Sequence, residues 1–418
     1  MRASDARVLF APAHYFTGAD VGGSEFCWPY QIIAHVAPRV CAADVVLGEL
    51  RNGSFGPNVA VHEVLPVARQ HLFSVGTAAA FMSGYWRSAL AITRRDVPDI
   101  LHHVLPFSPI TFNPLILFRH TPLGVPARTR IVIGPVQMPH DEMLGGTAED
   151  IGSLYRREFD APVQAMRGAR RRRLIGALTH RLSDRCLNAA HAVVAITDET
   201  RAYLQARGIR SPITVIPAGI DYRRFDVVDR SARTTPFTLL SASYFVQRKG
   251  IDLLLRAVAL ARTRAEVRLI LAGDGPQRAN LIALRDDLDL GDAVQFAGFL
   301  DENALRAQYA AADALVSMSW SESFGMSLLE AMATGMPCIS TANAGARALI
   351  EDGRTGLLAP LGDAERFAAA IEQLASDRVR AQALGLAARA SVESRHDWTS
   401  IGAAYVALYE SLLDTTPR

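Results

Sequence analysis

Of the 44 basic residues in this 418-residue chain a single one is a lysine, Lys249, directly after Arg248. An ammonium is a compact point charge and a guanidinium is a planar fork, so a single lysine in an arginine-rich sequence favours a site that uses an ammonium. An exposed basic turn before a helix is the alternative. Two acids, Glu322 and Glu330, stand eight residues apart further along the chain. Ionised carboxylates accept several hydrogen bonds, each worth about 1.5–3 kcal/mol, and suit a ligand rich in hydroxyl groups. The cation and the acids therefore predict a pocket for a ligand that carries hydroxyls and negative charge.

Residues 314–335 read as a strand, a loop and a helix that would hold both acids. An apolar strand at 314–317 leads into a Ser/Trp/Glu loop, and Gly325 precedes a helical sequence that contains Glu330. The N-terminus of a helix presents N–H groups and a partial positive charge, which suits phosphate or sugar hydroxyls. Plainer interpretations stay open, with Glu322 a solvated loop acid and Glu330 an acid favoured by the helix dipole.

Short runs of valine, isoleucine and leucine alternate with longer amphipathic stretches, which predicts β-α units that feed parallel sheets. A stretch without either periodicity, residues 217–236, separates two such series and is interpreted as a linker. The predicted strands before it are 8–11, 44–47, 59–64, 100–102, 131–133, 192–196 and 214–216, and those after it are 237–241, 267–272, 294–297, 314–317, 337–340 and 356–359. We therefore expect an α/β protein with two doubly wound parallel-sheet domains that face each other across a ligand-binding cleft.

The predicted domains are residues 1–222 and 223–397, followed by a last helix in 398–418. That helix carries Ile401, Tyr405 and Tyr409 at helical spacing, so it should pack an apolar face on a neighbour, which we expect to be the first domain.

Composition limits the class of protein. Half of the residues are hydrophobic, 21% are charged and the net charge is +2, which is a globular composition. No apolar run approaches the roughly 18–20 residues that cross a membrane, and the short run at 8–11 is interpreted as a strand and not as a secretion signal. The cysteines lack Cys-x-x-Cys spacing, so neither a disulfide framework nor a zinc site is predicted, and the cytoplasm is the expected location. The cysteines are Cys27, Cys41, Cys186 and Cys338.

The pair Glu322-x7-Glu330, with Ser-Phe-Gly after the first glutamate, resembles the donor motif of family 4 retaining glycosyltransferases, which have the GT-B architecture of two Rossmann-like domains. The resemblance covers almost the whole chain and is most specific after residue 237. Other segments that agree with the family in order are Gly22-Gly23-Ser24-Glu25, Arg248-Lys249-Gly250, Gly273-Asp274-Gly275-Pro276, Val294 to Phe299, residues 352–358 and Asp397-Trp398.

The resemblance implies roles for these residues. Glu322 would hydrogen-bond the hydroxyls of a donor sugar, and Glu330 the ribose of its nucleotide. Lys249, assisted by Arg248, would neutralise the pyrophosphate as the glycosidic bond breaks, a charge that grows in the transition state. The rest of the implied donor site is Gly22, Gly23, Gly273, Gly275, Ser323 and the main-chain N–H groups of Phe324, Gly325, Met326 and Ser327.

His103 is the candidate from the first domain. It follows a predicted strand, in a loop position where related enzymes often carry a functional histidine near the acceptor and donor sugar. Taken alone, a histidine at the end of a strand is more often structural. Gly22 and Gly23 have a similar pair of interpretations, since they either let the backbone approach an anion or form an ordinary βα turn.

The chain departs from the family at two informative positions. Tyr244 stands where the family usually has an arginine five residues before the lysine, so one phosphate contact is missing or is supplied by Arg248. Ala348 stands where a glutamate is common, so the role of that glutamate cannot be transferred to this chain.

Two further patterns are set aside. Asp287-Leu288-Asp289 matches the Asp-x-Asp of metal-dependent sugar transferases, but it ends a predicted helix on an exposed turn, so we interpret it as solvated acid and expect no metal or other cofactor. Gly273-x-Gly275 is not a dehydrogenase fingerprint, because Arg278 occupies the position of the third glycine.

Residues 151–210 hold twelve arginines and five acidic residues. The cluster from Arg167 to Arg185 is predicted to decorate a long helix, where each basic residue can add about 1 kcal/mol at an anionic membrane surface. A solvated helix face is the alternative. Nucleic acid is not an expected partner, because no aromatic platform or reading motif accompanies the charge.

The prediction is a metal-independent retaining transferase that moves a sugar from a UDP- or GDP-sugar to a hydroxyl of a glycan, lipid-linked or small-molecule acceptor. Exopolysaccharide or other cell-surface glycan assembly is the expected setting, in the cytoplasm or at the inner face of the membrane. Two alternatives remain, an epimerase of nucleotide sugars with the same architecture and a noncatalytic nucleotide-sugar binding protein.

Overall fold

The computed structural model describes residues 1–13, 16–17, 24–64, 75–105, 112–137, 169–234 and 236–414. Their packing divides them into two compact units. The first unit takes the described residues up to 137, residues 169–219 and residues 398–414, and the second takes residues 220–397. No helix within these ranges is long and apolar enough to cross a membrane.

The strands are β1 (Arg7–Phe10), β2 (Phe16–Thr17), β3 (Ala42–Leu47), β4 (Glu49–Leu50), β5 (Val59–Glu63), β6 (Ile100–His103), β7 (Arg130–Val136), β8 (Ala192–Ala195), β9 (Ile213–Val215), β10 (Phe237–Ala242), β11 (Val267–Ala272), β12 (Val294–Gly298), β13 (Ala314–Ser317), β14 (Cys338–Thr341) and β15 (Leu357–Ala359). The α-helices are α1 (Ser24–Val36), α2 (Val75–Arg95), α3 (Pro114–Leu117), α4 (Ala169–Ala189), α5 (Asp198–Ala206), α6 (Ile251–Ala261), α7 (Arg278–Asp287), α8 (Glu302–Ala311), α9 (Met326–Ala333), α10 (Ala344–Leu349), α11 (Ala364–Ser376), α12 (Arg378–Arg395) and α13 (Trp398–Asp414).

The first unit is built on a seven-stranded sheet in the order β5-β3-β1-β6-β7-β8-β9, and β2 pairs with β4 beside it. The pairings of the large sheet are parallel. Parallel neighbours require crossover connections, and here each of these connections except the one from β3 to β5 carries a helix. The order reverses between β1 and β6, so the carboxyl ends of these two strands form a topological switch point, where sheets of this kind bind ligands.

The second unit repeats this design with six parallel strands in the order β12-β11-β10-β13-β14-β15. Its switch point lies between β10 and β13. The core is formed by apolar side chains of the sheet and of α6, α7, α11 and α12, including the fully buried Leu239, Leu255, Leu269 and Ile371. The segments that leave β10 and β13 at the switch point contain Lys249 and Glu322, so the topology brings the two to the same edge of the sheet.

The predicted fold class is confirmed, with two doubly wound parallel sheets. Each of the thirteen predicted strands occurs within two or three residues of its predicted bounds, and β11 and β13 occur with the predicted bounds. The two-residue strands β2 and β4 were missed, because so short a segment has no periodicity to detect.

Residues 217–236, predicted as a linker, are largely an integral part of the second unit. They contain a 3₁₀ turn at Tyr222–Arg224 and the buried Arg230, whose side chain is 3% exposed. The Arg230 guanidinium donates to the carbonyl oxygens of Tyr309 at 2.7 Å, Ala312 at 2.9 Å and Thr334 at 3.2 Å. These carbonyls lie at the C-terminal ends of α8 and α9, where free oxygens and the helix dipole favour a cation. The segment is therefore held by side-chain bonds that leave no periodic signal in the sequence.

Candidate active site

Lys249 and Glu322 form an ion pair in the second unit. Lys249 Nζ donates to Glu322 Oε1, and both side chains are about one-seventh exposed. The hydroxyl of Ser319 donates to the same carboxylate oxygen at 3.0 Å, and Arg248 Nη1 lies 3.7 Å from Oε2. Both carboxylate oxygens therefore face polar groups, and the interpretation of Glu322 as a solvated loop acid is wrong.

A short turn brings the lysine to this place. Residues Gln247–Lys249 form a 3₁₀ turn that ends at Gly250, whose φ of 59° is a left-handed conformation favoured by glycine. A Cβ at Gly250 would lie 2.2 Å from the carbonyl oxygen of Met318, so no side chain fits there. The N–H of Trp320 donates to the carbonyl of Arg248 at 2.8 Å. The glycine thus lets the Arg-Lys turn pack directly on the chain that leaves β13.

The loop of Glu322 is fixed from β14 and α10. Thr341 Oγ1 and Asn343 Nδ2 both donate to the carbonyl of Ser319, at 2.5 and 3.0 Å. The N–H of Gly345 donates to the carbonyl of Glu322 at 3.0 Å. Sequence reasoning did not assign Ser319, Thr341 or Asn343, because isolated hydroxyl and amide residues carry no spacing signal of their own.

Burial lowers the pKa of Lys249, the charge of Glu322 opposes that shift, and Arg248 adds to it. Arg248 also donates to the carbonyl of Ser321 at 3.3 Å, which holds its guanidinium beside the pair. The site thus gathers two cations and one anion in a half-buried place. A net positive charge attracts an anionic group. The attraction is stronger here than in water, because the local dielectric constant is lower.

Glu330 has a different partner. It lies inside α9, and its Oε2 accepts a hydrogen bond from the hydroxyl of Tyr309 on α8 at 2.7 Å. Burial raises the pKa of Glu330 to about 7, and the tyrosine hydroxyl opposes that shift. The interpretation of Glu330 as a first-turn acid favoured by the helix dipole is wrong, because it is the fifth residue of the helix. Tyr309 was missed, since a tyrosine at a helical apolar position reads as core.

The loop and the helix start that were predicted between Glu322 and Glu330 are both present. Phe324 is buried and lies edge-on against His396, with ring centroids 5.7 Å apart. Gly325, with a φ of 96°, is the N-cap of α9, and the N–H of Leu329 makes the first helical bond to its carbonyl. Ser323, Met326 and Ser327 are half-buried at this end of the helix.

Gly273 and Gly275 follow β11 and pack against the chain that leaves β10. A Cβ on Gly273 would lie 1.9 Å from the carbonyl oxygen of Ser243, and one on Gly275 would lie 2.6 Å from that of Phe245. The two glycines therefore have a packing reason that is independent of any ligand. Tyr244, which stands where the family has an arginine, is 57% exposed.

His103 in the first unit ends β6 at the switch point of the sheet. It is fully buried within the strand, so the expected loop position is wrong. Its Nδ1 lies 3.2 Å from Nδ2 of Asn113, a residue that sequence reasoning did not single out. Burial lowers the pKa of His103 to about 3, and the neighbouring His102 adds to that shift, so the ring is neutral at physiological pH.

Gly22, Gly23 and Arg167 lie outside the described residues. Arg181 and Arg185 are exposed on α4. Asp287 and Asp289 are exposed at the end of α7, as expected, and the described residues contain no group of acids, histidines or cysteines arranged to hold a metal ion.

Models of two glycosyltransferase families match successive parts of this chain. The sequence model of the glycosyl transferases group 1 matches residues 223–391, and that of glycosyltransferase family 4 matches residues 44–224. The lipopolysaccharide core biosynthesis glycosyltransferase LpsE of Rhizobium meliloti is 39% identical over 173 residues, which are 41% of this chain and 49% of that protein. The chain thus spans about half the length of the relatives it matches.

Solved structures share the fold over nearly the full chain. Sucrose-phosphate synthase from Thermosynechococcus elongatus superimposes with a TM-score of 0.66 and 22% identity, covering 99% of this chain and all of that one. HepE from Anabaena in complex with UDP gives a TM-score of 0.66 and 19% identity, covering 97% of this chain and all of that one. The chain has two doubly wound sheets, and the two family models match its two halves. It therefore belongs to the group 1, family 4 glycosyltransferases of GT-B fold.

Proposed function

We propose that this chain is a retaining glycosyltransferase that moves a sugar from a UDP- or GDP-sugar to an acceptor hydroxyl without a metal ion. The observation that carries the proposal is the meeting of Lys249 with Glu322 in the donor motif of a family 4 chain. HepE, a structural neighbour, binds UDP, which favours a uridine donor. LpsE acts in lipopolysaccharide core biosynthesis, which favours a cell-surface glycan or exopolysaccharide as the product.

The two units would divide the work. Residues 223–397 would hold the donor, and residues 1–222 with the helix in 398–418 would select the acceptor. Lys249 and Arg248 would bind the diphosphate, Glu322 the sugar hydroxyls and Glu330 the ribose. The backbone of residues 323–327 and the glycines Gly22, Gly23, Gly273 and Gly275 complete the proposed donor site, and His103 would contact the substrate from the first unit.

The ion pair gives this proposal a definite chemistry. The Lys249 ammonium is paired with the carboxylate of Glu322. A diphosphate offers the ammonium a second anion, and its charge grows as the bond from the sugar to the phosphate breaks. A fixed cation therefore stabilises the transition state more than the ground state, which raises the rate. Glu322 at the same time remains an acceptor for the sugar hydroxyls.

Location and membrane contact are part of the proposal. We place the enzyme in the cytoplasm, with a glycan, lipid-linked or small-molecule acceptor. The exposed Arg181 and Arg185 would favour an anionic membrane surface, by about 1 kcal/mol for each basic residue. Sedimentation with anionic and neutral vesicles separates this role from that of a solvated helix face.

The test combines binding and turnover. Calorimetry should detect the binding of UDP or GDP. Incubation of the protein with the matching sugar nucleotide should release nucleoside diphosphate by slow transfer of the sugar to water. The free sugar should first appear in the same anomeric form as in the sugar nucleotide. Glu322→Gln and Lys249→Met should each lower the release rate by about 10²-fold, the usual cost of removing one stabilising group. Arg256→Met, a change of an exposed basic residue on α6, is the matched control and should keep the wild-type rate.

The rivals give different outcomes in the same experiment. An epimerase would convert the UDP-sugar to its epimer without any acceptor. A noncatalytic protein would bind the nucleotide and release no product. Near-normal rates for folded Glu322→Gln or Lys249→Met would refute the role assigned to that residue.

A further inference from the structure

The two adjacent histidines at the end of β6 have different surroundings. His102 is held on both ring nitrogens, by the carbonyl of Gly134 at 2.9 Å from Nε2 and by the hydroxyl of Tyr409 at 2.6 Å from Nδ1. It therefore ties β6 to β7 and α13. Successive side chains of a strand point to opposite faces, so His103 has a separate environment, in which Asn113 is the polar neighbour of Nδ1.

Asn113 can be oriented in one way only. It is fully buried and is the N-cap of α3, where its Oδ1 accepts the backbone N–H of Leu115 at 3.0 Å. The hydroxyl of Tyr85 reaches the same oxygen at 2.5 Å, and Nδ2 lies 3.1 Å from the carbonyl of Ala11. A backbone N–H can only donate and a carbonyl can only accept, so these contacts fix which atom of the amide is oxygen and which is nitrogen.

The orientation of the amide fixes the state of His103. Nδ2 of Asn113 is a donor without acceptor capacity, so Nδ1 of His103 at 3.2 Å must present its lone pair. A neutral imidazole with a lone pair on Nδ1 carries its proton on Nε2. The hydrogen-bond chain from Tyr85 and Leu115 through Asn113 therefore selects one of the two neutral tautomers.

We propose that Asn113 is a positioning residue that holds His103 as a neutral N–H donor at Nε2. This inference rests on the proposed function, because it concerns how His103 meets the sugar substrate. The N–H at Nε2 would donate a hydrogen bond to an oxygen of the substrate. Because Nε2 already carries a proton, it cannot take a second proton from the hydroxyl that receives the sugar. His103 then orients and polarises an oxygen and does not act as the base.

The tautomer can be observed in the full chain without any activity. Nitrogen-15 NMR of histidine-labelled protein separates a protonated ring nitrogen from one with a lone pair, and loss of a signal set in His103→Gln identifies His103. We expect Nε2 to be the protonated atom in the wild-type protein. A proton on Nδ1 would overturn the inference whether or not the chain is a transferase.

Two variants test whether Asn113 is the cause. Asn113→Ser keeps an oxygen that can cap Leu115 but removes the amide that reaches His103, so the Nε2 proton should give way to a mixture of tautomers. Tyr85→Phe removes the hydroxyl that donates to Oδ1 of Asn113. The N–H of Leu115 still donates to that oxygen and keeps the amide in its orientation, so the wild-type tautomer should persist. An unchanged His103 spectrum in folded Asn113→Ser would overturn the positioning role.

Activity supplies a second readout. Asn113→Ser should lower kcat by about fivefold, the factor that corresponds to about 1 kcal/mol for one neutral hydrogen bond. His103→Gln, which still offers an N–H, should retain more activity than His103→Ala. Equal loss in those two variants would contradict a donor role and favour a base. If the wild-type chain turns over no nucleotide sugar, the proposed function fails. The NMR result on the His103 tautomer stands in either case.

Discussion

Replacing Glu330 by glutamine should make the stability of the protein less sensitive to pH. Burial raises the pKa of Glu330 to about 7 in the folded state, whereas the carboxyl of an unfolded chain titrates near 4.5. The folded state therefore holds its proton at pH values where the unfolded state has lost it. The contribution of this proton to stability is complete below pH 4.5 and is lost as the pH rises through 7.

The size of the effect follows from the shift. One pKa unit corresponds to about 1.4 kcal/mol, so the displacement from 4.5 to about 7 lowers the free energy of unfolding by about 2–3 kcal/mol between pH 5 and pH 8. Glutamine keeps an acceptor for the hydroxyl of Tyr309 and does not titrate. The Glu330→Gln protein should therefore gain about 2–3 kcal/mol relative to the wild type over this interval.

Chemical denaturation followed by circular dichroism at pH 5 and pH 8 measures this difference directly. Glu266→Gln is the matched control, because it makes the same substitution at an exposed position before β11. Its difference from the wild type should be the same at the two pH values. A Glu330→Gln difference that stays constant between pH 5 and pH 8 would refute the reasoning, since it would mean that the carboxyl titrates alike in the folded and unfolded chain.

Three further outcomes are expected. Lys249→Arg keeps the charge but replaces the compact ammonium, so turnover of the sugar nucleotide should fall by about 10²-fold while the denaturation midpoint stays near that of the wild type. Tyr309→Phe removes the hydroxyl that holds Glu330, so it should weaken nucleotide binding in calorimetry and lower the free energy of unfolding by about 1 kcal/mol. Arg230→Leu leaves several buried carbonyls without their donor and should cost about 3 kcal/mol or more in the same denaturation assay, whereas Arg256→Leu on the exposed face of α6 should change stability by less than about 0.5 kcal/mol.

The sheets were predictable because buried parallel strands are short, continuous apolar runs, a pattern that survives without any knowledge of tertiary contacts. The juxtaposition of Lys249 and Glu322 was predictable as well, since both follow central strands and the carboxyl ends of parallel strands share one edge. The partner of Glu330 was not, because the contact depends on the rotation of α8 about its own axis.

The hydrogen bonds of buried polar side chains could not be predicted from the periodicity of the sequence. Asn113 precedes a proline, which predicts a helix start and no contact with a histidine ten residues earlier. Arg230 stands in a segment with no periodic signal, and its acceptors come from Tyr309 and Thr334, far along the chain. Such bonds are determined by which backbone oxygens a completed fold leaves open, and a linear pattern does not contain that information.

The Arg230 contacts also decide where the second unit can be separated from the rest of the chain. A fragment that starts at the first strand of its sheet, residue 237, would leave behind the guanidinium that satisfies the carbonyl oxygens at the ends of α8 and α9. A fragment that starts at residue 220 keeps it. The shorter piece should therefore be prone to fray at those two helices and aggregate, although it contains every strand of the six-stranded sheet.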